Sequence, residues 1–174
     1  MRKDLLVLPL CALLGCNRDG LSPTEQLPPA TQTGANTLGC LLNGQPWTPQ
    51  GSDGTSNYNV AYDPGFHGGN LDVKTYRLDG KGEFNYLIFG GDSISRVGMC
   101  SLTKRPRTVY FIDNTKPAAC QAFDGQSSPY CRGQLTITRL DLAAGIVSGT
   151  FWFTLYKPGC DSVRITNGRF DRKL

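Results

Sequence analysis

The chain has 174 residues and a formal net charge of +4, one domain's worth of sequence with a mild basic excess. Its bases are scattered, and the densest group, Lys104-Arg105-Pro106-Arg107, has no aromatic platforms interleaved with it, which argues against nucleic-acid binding. With 21 glycines and 11 prolines between β-branched and aromatic runs, and no long helical period or internal repeat, the composition points to many short strands joined by turns.

The first element is a charged start, Arg2 and Lys3, followed by an apolar run from Leu5 to Leu14. The run contains Pro9 and is about half the roughly 20 apolar residues that a membrane span needs. A basic n-region, a short apolar h-region and a small residue before a cut describe a secretory signal. It ends on Leu13-Leu14-Gly15-Cys16, which resembles the lipobox of bacterial lipoproteins. The resemblance implies cleavage before Cys16, a thioether-linked diacylglycerol on that residue and acylation of the new N-terminus. One myristoyl chain binds a bilayer only marginally, with about 0.8 kcal/mol per buried CH₂, so three chains on one residue amount to a lasting anchor. The lipid bilayer, reached through Cys16, is therefore the first expected partner.

Residues 1–15 are accordingly read as the signal and residues 16–37 as the lipidated cysteine with a tether. The tether has no aromatic residue, and Pro23, Pro28 and Pro29 keep it out of regular structure. As a flexible coil its ends would lie on the order of 25 Å apart. Asn17 stands where inner-membrane lipoproteins commonly carry a retention Asp, and Asn17-Arg18-Asp19-Gly20 is a poor match to the acidic surface-export signal of Bacteroidota. The expected location is the outer membrane, facing the periplasm, with the cell surface as the alternative.

A single all-β domain is expected over residues 38–174. Leu38 to Leu42 reads as a strand running into Asn43-Gly44, a pair suited to the positive φ angles of a type I′ hairpin. Trp47, between Pro46 and Pro49, is placed at the domain edge. Asn57 to Tyr62 is a short strand candidate. Leu71 to Leu78 sets Leu71, Val73 and Thr75 on one face. Glu83 to Phe89 and Thr108 to Asp113 are aromatic and β-branched, and Gln134 to Leu140 alternates Leu135 and Ile137 with Thr136 and Thr138. Ile146 to Tyr156 places Val147, Phe151, Phe153 and Leu155 on one face and Trp152, Thr154 and Tyr156 on the other. Ser162 to Phe170 closes the chain. For Val163, Ile165 and Phe170 all to point inward, this last strand needs one extra residue, which Asn167-Gly168 is suited to supply. The last three strands form an antiparallel meander. The fold expected is an antiparallel β-sandwich, with a small closed or half-open barrel as the alternative.

The runs Gly133 to Thr138, Val147 to Phe153 and Ile165 to Asp171, with Asn36 to Cys40, Asn43-Gly44 and Trp47 at the front, resemble an uncharacterised family of β-rich lipoproteins of Bacteroidota. The resemblance implies an envelope lipoprotein without established activity. In its Gly-Arg-Phe-Asp close, Gly168 is expected to permit the bulge and Phe170 to cap the core, with Arg169 and Asp171 facing solvent.

Of the seven cysteines, Cys11 leaves with the signal and Cys16 takes the lipid. The remaining five show no CxxC spacing, and with His67 the only histidine a metal reading is weak. In an oxidising compartment they are expected to form disulfides. Cys120 with Cys131, across a turn-rich stretch, and Cys40 with Cys160, tying the ends of the domain, are the two pairings suggested. No nucleophile elbow, Ser-x-x-Lys or phosphate-cradling glycine loop is present, and His67 sits among glycines in a loop. No cofactor and no enzymatic activity are expected. The favoured reading is a non-enzymatic structural or binding accessory of the envelope, with other envelope proteins or glycans as possible partners. Its rival is a glycan or small apolar ligand-binding domain, for which Trp152 is the candidate contact because its strand neighbours take the core face.

Overall fold

The computed structural model describes residues 20–103, 105 and 107–174, so Cys16 and the signal lie outside the described residues. Eleven strands follow one another along the described chain: β1 Thr37–Leu42, β2 Gln45–Trp47, β3 Tyr58–Asp63, β4 Asn70–Leu78, β5 Phe84–Gly91, β6 Gly98–Ser101, β7 Arg107–Asp113, β8 Ala122–Asp124, β9 Tyr130–Asp141, β10 Ile146–Tyr156 and β11 Val163–Lys173. They form two antiparallel sheets packed face to face as a sandwich. One has six strands in the order β2-β1-β11-β10-β9-β6, the other five in the order β3-β4-β5-β7-β8. Both sheets are open, so the barrel alternative does not apply. Among the described residues no helix is long and apolar enough to cross a membrane.

The period-two pattern explains the core directly. Leu71, Val73 and Thr75 of β4, Leu135 and Ile137 of β9, and Val147, Phe151, Phe153 and Leu155 of β10 are buried as their alternation predicts. The two sheets meet through aromatic rings: Phe89 of β5 stacks on Phe151 of β10 at 4.1 Å and meets Phe170 of β11 edge-on at 5.9 Å. Such pairs add about 0.5–1.5 kcal/mol beyond the area they bury. Asn43 and Gly44 have φ of 50° and 85°, the type I′ geometry that returns β1 into β2. Trp47 lies on the edge strand β2 as expected, but its side chain is buried in the core. The strands β6 and β8, four and three residues long, are too short to show a period in the sequence.

The closing strand carries its bulge where expected. Phe151 pairs with Gly168 and Phe153 with Ile165, so Trp152 faces two residues, Thr166 and Asn167. Val163, Ile165 and Phe170 all point inward. The left-handed backbone belongs to Asn167, at φ 51°, and not to Gly168. Gly168 is needed for another reason: a Cβ there would lie 2.6 Å from the Phe151 ring and from the Phe151 carbonyl oxygen.

Three expectations are corrected. Asp171 does not face solvent; it is 1% exposed. Beyond the bulge the alternation restarts, and the carboxylate turns under the N-terminal segment. That segment is no free tether over its described length: Leu27 is buried, Pro28 packs on Gly39 of β1, and Thr31 to Ala35 are held by Asp171. Pro28 and Pro29 keep the chain extended, and an extended segment can be clasped through its own backbone amides. The cysteine pairings also differ. The disulfide joins Cys120 to Cys160, with Cα atoms 5.6 Å apart, and Cys40, Cys100 and Cys131 are free thiols. Cys131 lies on β9 of the six-stranded sheet, paired with Leu155 of the neighbouring β10, with its Sγ donating to the Leu102 carbonyl. Cys40 is sealed in the core opposite Trp47. Cys120, in the 3-10 turn Ala118–Cys120, and Cys160, in the turn between β10 and β11, meet where the two sheets come together at one end of the sandwich.

Candidate functional site

Among the described residues, chemistry-bearing side chains come together around Trp152, at the disulfide end of the sandwich and in the loop pair of His67 with Asp92. The first is the hollow around Trp152. Strand alternation in β10 turns this indole outward, and it is 38% exposed. Gln134 of β9 stands directly opposite it, Thr136 and Thr150 face each other in the adjoining row, and Arg169 pairs with Thr150 from the other side. Asn167 and Gly168 of the bulge, with Ala30 of the clasped N-terminal segment, complete a hollow of about 450 Å³. An indole face framed by amide, hydroxyl and guanidinium groups can stack on a ring and hydrogen-bond its edge. One row further along, Arg132 of β9 and Arg164 of β11 flank Thr154, and Tyr130 faces Tyr156 beyond them. The three arginines carry no sequence motif; only strand register places them around one tryptophan.

The N-terminal border of this hollow is set by Asp171. Its Oδ2 accepts hydrogen bonds from Thr31 Oγ1 at 2.7 Å, the Thr33 amide at 2.9 Å and the Ala35 amide at 3.0 Å. Its Oδ1 accepts from the Gly34 amide at 2.9 Å and Ser148 Oγ at 2.7 Å. Burial by itself would raise the Asp171 carboxyl, but these donors outweigh it and hold the group well below the usual carboxylate range. No cation is required, because amides and hydroxyls satisfy the charge. The signal that could have exposed this role is the run Thr31 to Asn36, rich in donors and lacking bulk.

The second concave feature is a cavity of about 180 Å³ at the disulfide end of the sandwich. Leu42, Phe111, Phe123 and Val163 supply its apolar wall, and the Cys120–Cys160 bridge its rim. Lys116 and Asp161 approach to 3.7 Å there, and Lys157 Nζ lies 4.8 Å from the centre of the Phe123 ring.

The loop pair is His67 with Asp92. The imidazole Nδ1 lies 2.9 Å from Asp92 Oδ2, while Asn70 Nδ2 donates to Asp92 Oδ1 at 2.7 Å. The Asn70 and His67 contacts lower the Asp92 carboxyl. The ring stacks on Phe66 at 3.9 Å and is exposed. Ser93 Oγ reaches the His67 backbone carbonyl and not the ring, so this is a surface hydrogen-bonded pair without an activated nucleophile. Among the described residues, no group of three or more His, Cys, Asp and Glu side chains is placed to hold a metal ion. Burial pushes the Cys40 thiol up to about 12, which makes it a core residue and not a nucleophile. Comparison with protein-family models, with curated proteins and with solved structures finds no significant match to this chain.

Proposed function

We propose that this chain is a lipid-anchored protein of the bacterial outer membrane, held by an acylated Cys16, whose sandwich serves as a non-enzymatic structural or binding accessory to other envelope components. One observation carries the reading. The Leu-Leu-Gly-Cys motif ends at Cys16, and by Leu27 the chain is already packed on the sandwich, to be clasped by Asp171 a few residues later. The chain thus passes almost directly from the lipidation motif into a rigid module, as an anchored domain requires. The space between the sheets is filled by Phe89, Phe151, Phe153 and Phe170 with their aliphatic neighbours, which leaves outer faces and sandwich ends for partners. The resemblance to β-rich lipoproteins of Bacteroidota supports the same reading. Mass spectrometry of protein extracted from membranes tests it: a triacylated N-terminus at Cys16 is expected, and an intact Met1 or an unmodified Cys16 thiol overturns it.

A second reading, a binder of small apolar ligands, is favoured by the cavity at the disulfide end. An engineered apolar cavity of about 150 Å³ holds benzene, and the 180 Å³ between Phe111, Phe123 and Val163 is of that order. Indole should raise the melting temperature of the wild type and not of Val163→Phe, which fills the space; equal shifts, or none, refute it. A glycan in the Trp152 hollow is the other form of this reading.

A further inference from the structure

The two outer faces of the sandwich differ in kind. Met99 of β6, Tyr130 of β9, and Trp152 and Tyr156 of β10 are large apolar side chains exposed on the six-stranded sheet, with Met99 76% exposed. Among the described residues the five-stranded sheet exposes no large apolar side chain to this degree, and Asp72 and Lys74 of β4 form an ion pair there. Register places Met99, Thr136, Thr150 and Arg169 in one row across the six-stranded sheet. Gln134 and Trp152 fall in the next, then Arg132, Thr154 and Arg164, then Tyr130 and Tyr156. Neighbouring strands lie about 4.8 Å apart, so the backbones of Arg132 and Arg164 are roughly 10 Å apart with Trp152 one row away. The ion pairs among the described residues are Lys74–Asp72, Lys116–Asp161 and Arg139–Asp141, and neither these nor the His67–Asp92 contact involves Arg132, Arg164 or Arg169. Three guanidiniums thus surround exposed aromatic rings with no carboxylate of the described residues paired to them.

The chain also enters the fold at this face. Asn167, in the bulge opposite Trp152, donates through Nδ2 to Thr24 Oγ1 at 3.2 Å, and Ala30 forms one wall of the Trp152 hollow. Residues 17–23 are all that separate Thr24 from Cys16. At a maximum of about 3.5 Å per residue they span no more than roughly 28 Å.

We propose that the outer face of the six-stranded sheet lies on the bilayer that holds Cys16, an inference that rests on the anchoring proposed above. Arg132, Arg164 and Arg169 engage anionic lipid phosphates, which the planar guanidinium grips in bidentate fashion. Trp152, Tyr130 and Tyr156 sit at headgroup depth, where amphipathic rings are favoured. Each basic side chain close to an anionic surface strengthens attachment roughly fivefold. The domain then lies flat on the membrane instead of standing off it, with the five-stranded sheet turned toward the compartment.

The test uses the acylated full-length protein reconstituted into vesicles of phosphatidylcholine alone or of phosphatidylethanolamine with phosphatidylglycerol. Trp47 is sealed in the core, so accessible tryptophan emission belongs to Trp152, and Trp152→Phe supplies the background. Quenching by acrylamide is expected to fall several-fold on the anionic vesicles relative to detergent micelles, and quenching by bromine-labelled lipid to appear. The triple variant Arg132→Ala, Arg164→Ala, Arg169→Ala should regain acrylamide access while still floating with the vesicles and unfolding as before. Equal acrylamide access in micelles and on both vesicles overturns the inference, as does full protection of the triple variant. A wild type that floats with Trp152 open, and is shielded only when a soluble polysaccharide is added, gives the face to a sugar and overturns it as well. Failure to float with any vesicle would refute the anchor itself. If the triple variant does not fold, the wild-type comparison between vesicles and micelles decides.

Discussion

At Asp171 a single carboxylate links the last strand to the segment that precedes the first. A buried charge is costly unless fully hydrogen-bonded, and here three backbone amides and two hydroxyls do the work of a counter-ion. Replacing it with alanine leaves those donors buried without an acceptor, so Asp171→Ala should cost about 3 kcal/mol in urea unfolding. Because the folded state lowers this carboxyl below its ordinary value, the stabilisation is present above about pH 4, where the unfolded carboxyl is ionised. It is lost as pH falls through the lower folded value. Wild-type stability should therefore decline below pH 4 more steeply than that of Asp171→Asn, as acid titration of the unfolding midpoint would reveal; parallel curves would contradict this. The N-terminal segment of Asp171→Asn should also be cut earlier by protease.

For the elements, the decisive feature is the one-residue insertion in β11. If residues 163–170 ran as a regular strand with no bulge, alternation would send Phe170 outward while Val163 and Ile165 stay in, because a one-residue slip exchanges the faces of a strand. Deleting Asn167 should straighten the strand and leave Phe170 buried, whereas inserting a second residue beside Asn167 should turn Phe170 outward and remove its edge-on contact with Phe89, an effect read as a fall in melting temperature and a gain in dye binding. Gly168→Ala should cost about 2 kcal/mol, since the added Cβ would press on the Phe151 ring and carbonyl at 2.6 Å. An unchanged melting temperature would show that β10 yields more readily than the packing implies. The same bulge presents Asn167 to the Trp152 hollow, so the device that repairs the core register also shapes the outer face.

On the scale of the whole molecule, the sheets are joined by packing and by one covalent bond. The Cys120–Cys160 bridge closes a loop with a sequence separation of 40; chain-entropy arguments put its stabilisation at about 4 kcal/mol. Reduction should therefore lower the unfolding midpoint markedly. Peptide mapping without reductant should recover Cys120 with Cys160, leaving Cys40, Cys100 and Cys131 as thiols. In the folded protein Cys40 should resist alkylation, its thiol being pushed up to about 12 by burial.

What could be read from residue order alone followed from local physics. Side chains alternate along a strand, Asn-Gly tolerates positive φ, and an odd-to-even switch in the apolar positions of β11 demands a bulge. These facts give the sandwich, its long strands, the inward faces and the outward aim of Trp152. Partners distant along the chain were not legible, because sequence spacing says nothing of which strands become neighbours. The two sheets interleave, with β6 returning to the first sheet between strands of the second. That crossing brings Cys120 to Cys160, 40 residues along the chain, and leaves Cys131 opposite Leu155. Likewise Asp171 reads as one more solvated acid until the fold lays Thr31 to Ala35 over it. Arg132, Arg164 and Arg169 become one basic face only through antiparallel register. Local pattern settles which way a side chain points, whereas what it meets there depends on the packing of the whole chain.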